Sequence, residues 1–441
     1  MTSRGARFLA ALFLTAVCWL AYSRVSLPRY YNGGDNLWTV PTAMSMVRYG
    51  NADVSAFAPS VRLHPEWEVW INDQKIDPRI VVTNNRPLML HPVGSAFAVT
   101  PLAAWHCAWH KPASDPMAEA IALTPRIAHF FAALSVGLIF LLLTGLGAST
   151  AQAVALSLVF AFATPHFVTH ADGLWSHNIF LPFFITALWL LIAENGRWAA
   201  LAGLAAAMGY LIRPDSAVFI IAMGVYLLCC NPRRIVPFAW AGLIVAVLFV
   251  LWSRRVYCDW VPPYYFGRRT PTNLSLAYFP AGAAGHLFSP SRGIMIFAPI
   301  LLFGMAGAVL AWLRKDSRAA FFRMISAMVL LHFVIVSVFQ TWWAGFAYGP
   351  RYFCQVLPLY TLLLLPLWNA VARAARPARV AVAAAALAAC AWGLFVNLRG
   401  VTDPRVHEWN ATPEIVDTHH ERLWDWHDMQ IFRGWHKPAR P

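Results

Sequence analysis

Apolar residues run in long blocks along this chain, separated by short polar or basic connections. A bilayer-crossing helix needs roughly 20 mostly apolar residues. Candidate blocks lie near 8–27, 121–145, 151–169, 176–193, 198–212, 216–230, 236–252, 294–313, 321–340, 352–370 and 380–398. The pattern predicts an all-α polytopic membrane protein of about 11 transmembrane helices. A further apolar run, "LMLHPVGSAFAVTPLAAWHCAW" (88–109), contains two prolines, two histidines and a glycine. It is read as an interfacial or re-entrant helix rather than a crossing. Just past the first block, "GGDNLWTVPTAMSMVRYG" carries Leu37, Val40, Met44 and Val47 at three- and four-residue spacing. That spacing predicts a short interfacial helix with Asp35 near its N-terminal end.

Charge orients the blocks. The start, with Arg4 and Arg7, and the connections "NPRR" (231–234), "RKDSRAAFFR" (314–323) and "RAARPAR" (373–379) are basic and read as cytoplasmic. Alternation from them puts the N-terminus inside and "THADGLWSH", Arg213 and the tail from 399 outside. Residues 28–120 must begin and end outside, so the 88–109 run does not cross. The N-terminal block is read as an uncleaved anchor. Cleavage as a signal peptide would leave the Gly33-Gly34-Asp35 stretch at a free end.

Composition supports a membrane protein. The chain is 59% hydrophobic and only 12% charged, with a mean hydropathy of +0.53, whereas soluble domains are roughly 25% charged. A net charge of +14 on so few charged residues points to cytoplasmic anchoring, an anionic ligand, or both. The seven cysteines are scattered without a C-x-x-C pair, which argues against a thiolate metal site or disulfide framework.

Several polar positions carry candidate chemistry. Asp35 is either a helix cap or a catalytic carboxylate on the outer face. Asp53 is read as a turn residue, with a second carboxylate as the alternative. "THADGLWSHN" holds His170, Asp172 and His177, which suit a polar surface loop, a base with its orienting partner, or, less well given their irregular spacing, a metal. Arg213, Arg268, Arg269, Arg292 and Arg351 fall on outer connections. A guanidinium there either snorkels or holds phosphate through its planar fork. "SPSRG" (289–293) and "GPR" (349–351) each place an arginine on a rigid turn just before a span. Aromatic clusters such as "TWWAGFAY" (341–348), with Trp343, suit an interfacial belt or a wall for sugar rings.

Together these residues resemble the GT-C superfamily of integral membrane glycosyltransferases, in the branch of the protein mannosyltransferases and the lipid A aminoarabinose transferase. The resemblance lies in the order of "GGDNLWTVPTAMSMVRYG", "HPVGSAFAVTP", "GYLIRP", "LFSPSRGIMIFAP" and "WWAGFAYGPRY", and covers the chain to about residue 370. It implies a GT-C-like transmembrane domain over 1–398, whose 28–120 segment is an outer catalytic loop with interfacial helices. Residues 399–441 would form an extracytoplasmic tail, in which no motif is recognised. It further implies an inverting transferase, with Asp35 as catalytic base and His91 and the five arginines on donor phosphate. His91 stands where the aminoarabinose transferase has a lysine, and Asn36 where many members have a second acid. Asp53, His170, Asp172, His177 and Trp343 are accessory candidates.

The expected partners are a polyprenyl-phosphate-linked sugar, an acceptor glycan, lipid or protein, and membrane lipids; no nucleic acid is expected. No cofactor is expected, although a divalent cation is allowed, with His170, Asp172 and His177 as a weak ligand set. The expected location is the inner (plasma) membrane, with the active site on the periplasmic, extracytoplasmic side. The rival readings are a flippase or transporter of polyprenyl-linked sugars, and a ligase or phosphatase acting on polyprenyl carriers.

Overall fold

The computed structural model describes residues 4–25, 37–57, 69–71, 74–76, 79–171, 173–266 and 274–435. Helices dominate. In chain order they are α1 (Arg4–Val25), α2 (Thr39–Tyr49), α3 (Gly94–Trp109), α4 (Pro116–Gly145), α5 (Thr150–Phe162), α6 (His166–Ala171), α7 (Ser176–Ile192), α8 (Ala199–Ile212) and α9 (Ala217–Cys230). They continue with α10 (Ile235–Val256), α11 (Phe279–Phe288), α12 (Ile294–Phe297), α13 (Ile300–Leu313), α14 (Ala319–Ser337), α15 (Leu357–Arg373), α16 (Arg376–Thr402) and α17 (Arg405–Glu408).

Among the described residues, six helical stretches are long and apolar enough to cross a membrane: Arg4–Val25, Pro116–Gly145, Pro232–Val256, Ala319–Ser337, Arg351–Arg373 and Arg376–Thr402. Thr150–Phe162, Ser176–Ile192, Ala199–Ile212, Pro214–Cys230 and Ile300–Leu313 are apolar but shorter. Proline explains much of the shortening. Pro165, Pro214 and Pro299 each sit at a helix boundary, where the ring removes a donor and excludes the preceding turn.

The centre of the bundle is α4, packed against α1, α5 and α7. The region after α1 is more structured than an interfacial helix. The N-cap of α2 is Trp38, without a side-chain cap. Asp35, three residues earlier, lies outside the described residues. Residues Thr39 to Ser45 of α2 are all buried, because α3 and α4 both pack against this helix. It is therefore enclosed over its first two turns, not laid flat with one apolar face. An ion cluster ties the three helices together: Glu119 Oε1 of α4 accepts from Arg48 Nη2 of α2 at 2.7 Å and lies 2.9 Å from His106 Nε2 of α3.

The expectation of an all-α chain misses two small hairpins, β1 (Val69–Ile71) with β2 (Gln74–Ile76) and β3 (Ile80–Thr83) with β4 (Arg86–Met89). The second turns at Asn84 and Asn85, both left-handed with φ of 51° and 60°, as a two-residue hairpin turn requires. "IVVTNNRPLM" carried that signal: a β-branched run, two turn-forming asparagines, then a second apolar pair.

Beyond α16 the tail folds back onto the connections 289–293 and 341–350. Asn410 and Gln430 both accept from Arg292, and Trp409, Val416 and Leu423 bury with Trp342 and Trp343. Asp403 anchors the fold-back by accepting from Arg405 and Arg399. The Arg405 hydrogen bond above all, aided by the charge of Arg399, holds its carboxyl down at about 2 against the opposing effect of burial.

Candidate functional site

A pocket of about 240 Å³ opens where the ends of α7, α8 and the approach to α15 meet, and its lining includes His91, Trp175, His177, Arg213, Asp215, Tyr264 and Arg351. The sequence explains how each arrives. His91 is followed by Pro92, Val93 and Gly94, and α3 begins at Gly94. A Cβ on Gly94 would stand 2.2 Å from the carbonyl carbon of Leu211. Only glycine lets the start of α3 press against the end of α8, two residues before Arg213. Arg213 itself is extended (φ −142°, ψ 99°), as a residue before proline tends to be, and this turns its side chain off the helix. Gly349 is left-handed (φ 66°), and a Cβ there would strike the Phe297 ring at 2.5 Å. That turn delivers Arg351, whose guanidinium lies 4.3 Å from the Trp175 ring centre, a cation–π contact. His91 faces Tyr264, with ring centres 5.5 Å apart.

Arg213 is held from four sides. Its Nε donates to Gln355 Oε1 at 2.7 Å, and Nη2 donates to Asp215 Oδ2 at 2.7 Å. Nη1 donates to Ser176 Oγ at 3.0 Å and to His177 Nε2 at 3.3 Å. Gln355 in turn donates from Nε2 to Asp215 Oδ2 at 3.1 Å and to His332 Nδ1 at 2.9 Å. His332 Nε2 lies 2.8 Å from the Tyr352 carbonyl, so Nε2 carries the proton and Nδ1 accepts. The buried amide of Gln355 is thereby fully satisfied, and the chain of bonds ends on the backbone beside Arg351. A connected network of this kind is stiff. Asp215 is the one carboxylate among the described residues lining the pocket, against two arginines, so the pocket is cationic and suits a phosphate.

The remaining sequence candidates separate. Arg292 is 1% exposed, and all five of its N–H groups are engaged by the protein. Nε donates to the Trp343 carbonyl, Nη1 to the Ser291 carbonyl and Gln430 Oε1, and Nη2 to the Gly345 carbonyl and Asn410 Oδ1. The expectation that Arg292 binds donor phosphate is corrected: no donor is left, and the residue is the hub joining the tail to the 341–350 connection. Trp343 lies in a second cleft beside the pocket. Asp53 forms the expected turn, its Oδ1 accepting from the Ser55 amide at 2.8 Å. His170 is fully buried among Tyr22, His129 and Phe167, whereas His177 faces Arg213, so the two histidines serve different neighbourhoods. Asp35, Asp172, Arg268 and Arg269 lie outside the described residues. Among the described residues, Glu414, His419 and Glu421 bring three possible metal-ligand atoms within 4.8 Å; two of them are exposed, and such acidic groupings are common without an ion.

Sequence reasoning missed Asp215, His332, Gln355 and Tyr264. The first sits two residues after Arg213 in "IRPDS". His332 and Gln355 are polar residues inside apolar stretches, "LLHFV" and "FCQVL", and that signal alone marks a functional or networked position.

No protein-family model matches the chain, and no curated protein matches it significantly.

Proposed function

We propose that the protein is an inverting glycosyltransferase of the inner (plasma) membrane, moving a sugar from a polyprenyl-phosphate donor to an acceptor hydroxyl on the extracytoplasmic face. One observation carries this reading. Three segments far apart in sequence, "HPVG", "LIRP" and "GPRY", converge on one cationic pocket through His91, Arg213 and Arg351. The sequence had singled out those same segments for phosphate binding. In the reaction, the acceptor oxygen attacks the anomeric carbon and the bond from that carbon to the phosphate oxygen breaks. The proton passes to Asp35, and polyprenyl phosphate leaves as an anion. Arg351 and His91 meet the developing phosphate charge. Arg213, fixed by Asp215 and Gln355, orients the pocket and adds to its field. The lipid tail lies among the apolar helices.

Arg351→Ala is expected to weaken donor binding. Losing one charge-assisted hydrogen bond costs about 1.5–3 kcal/mol, so affinity for polyprenyl phosphate should fall roughly 10- to 100-fold. Titration of purified protein with polyprenyl phosphate measures it. Unchanged affinity would reduce Arg351 to a partner of Trp175 and remove the main support for the reading.

The proposal includes a topology. The six long and five shorter apolar helices are taken as eleven crossings, with the N-terminus inside and the tail outside. Ala411 is exposed on the tail. In a background lacking the native cysteines, Ala411→Cys should react with an impermeant thiol reagent added to intact cells. Reaction only after the inner face is opened would reverse the orientation.

A further inference from the structure

A second cleft, of about 960 Å³, lies directly against the cationic pocket and shares Arg351 and Tyr352 with it. Its chemistry is different. One wall is the 341–345 connection, with Trp342 and Trp343; the other is the tail, with Asp417, Glu421 and Trp424. Trp343 Nε1 donates to Asp417 Oδ1 at 2.6 Å, which fixes the ring and leaves the second carboxylate oxygen to accept another donor. The Trp342 ring lies 6.1 Å from those of both Trp343 and Trp424; Trp342 and Trp343 are themselves buried and form the base of the wall, and Trp424, 41% exposed, offers the open aromatic face.

The backbone behind this wall is strained. Ala344 and Gly345 both have φ of 63°, and a left-handed alanine is costly. Arg292 donates to the carbonyls of Trp343 and Gly345 on either side of Ala344, holding the bend that presents the tryptophans. The tail, which carried no recognised motif, supplies the acceptors Asn410 and Gln430 that hold Arg292 in turn.

We infer that this cleft is the acceptor subsite and that the part of the acceptor it grips is a carbohydrate, with the C-terminal tail as half of the binding wall. The inference rests on the transferase reading for the word acceptor, but the binding chemistry stands separately. The exposed flat face of Trp424 can pack against the C–H face of a sugar ring, while the carboxylates beside it accept hydroxyl hydrogen bonds. An acyl chain would bury the charged Asp417 and Glu421 carboxylates without supplying them a donor. Asp417 and Glu421 also repel phosphate, which separates this cleft from the donor pocket. An acceptor ring seated here points one hydroxyl at the Arg351–Tyr352 junction, where the two cavities meet.

The test uses the purified full chain and a panel of methyl glycosides (mannoside, glucoside, galactoside and N-acetylglucosaminide), read by saturation-transfer NMR. In parallel, polyprenyl phosphate binding is measured on the same preparations. At least one glycoside should bind saturably. Trp424→Ala and Glu421→Gln alter exposed positions and should fold; each should weaken glycoside binding about tenfold and leave polyprenyl phosphate binding unchanged. Arg351→Ala, at a residue both cavities share, should weaken polyprenyl phosphate binding. Absence of glycoside binding, or binding indifferent to both tail variants, overturns the subsite. Saturable binding of a Ser/Thr-rich peptide in place of the glycosides overturns it in favour of a protein acceptor. Glycoside binding in the cleft without any polyprenyl phosphate binding supports the subsite and overturns the transferase reading.

Discussion

Asp35→Asn is expected to leave the protein folded and able to bind donor while slowing sugar transfer at least about 100-fold, the lower end of what general base catalysis contributes. The substitution conserves size and removes only the proton acceptor. Its effect on α2 should be small, because the N-cap of that helix is Trp38 and not Asp35. The pocket of His91, Arg213 and Arg351 is assembled by Gly94, Gln355 and the Gly349 turn, none of which the change alters. Asp53→Asn is the natural control, since Asp53 is occupied by its own turn with Ser55, and it should transfer sugar at near wild-type rate. A transfer assay run beside thermal melts decides. Near-normal transfer by Asp35→Asn at an unchanged melting temperature would remove Asp35 as the catalytic base.

Arg292→Ala should have the largest effect on stability. It strips the donors from five acceptors at once, and an orphaned buried polar group costs about 1–3 kcal/mol. The contributions are not additive, but a total loss of at least about 3 kcal/mol is expected. Burial draws the guanidinium down to about 9, with the charge of Asp417 acting the other way, so it remains cationic at neutral pH. It also lies 5.6 Å from the Trp409 ring centre. Lysine should not rescue, because a point charge with three donors does not reproduce a planar fork with five. The readout is limited proteolysis of the tail with tryptophan fluorescence: the variant should expose residues 403–435 to cleavage and change the emission of Trp342, Trp343 and Trp409. A tail as resistant as in the parent protein would show that the hub is dispensable.

Much of the architecture was legible. Each predicted block overlaps at least one helix of the structure, because a long apolar run leaves the backbone few alternatives. Boundaries were less visible: proline punctuation cut α5 and α13 shorter than the hydropathy suggested. The hairpin at 80–89 was also readable, from its turn asparagines, yet was passed over among stronger apolar signals.

The site divides differently. Arg213 and Arg351 looked alike in sequence, each an arginine beside a proline at the end of a span, and Arg292 looked like both. Residue type and spacing determined that arginines would gather at helix ends. They also determined that "HPVG" and "GPR" would make rigid turns, since glycine and proline act through local backbone sterics. Which arginine faces the pocket and which is consumed by the protein depends on acceptors distant in sequence. Gln430 lies 138 residues from Arg292 and Gln355 lies 142 from Arg213, and no local rule anticipates such a pairing. The tail shows the same limit: its tryptophans and acids read as unassigned polar chain until folding set them opposite Trp342 and Trp343. The sequence alone determined a helical membrane protein with arginines at the ends of its apolar helices. Only the tertiary structure decided which guanidinium lines the pocket and which is taken up by distant carbonyls and amides, because that depends on where the fold brings those acceptors.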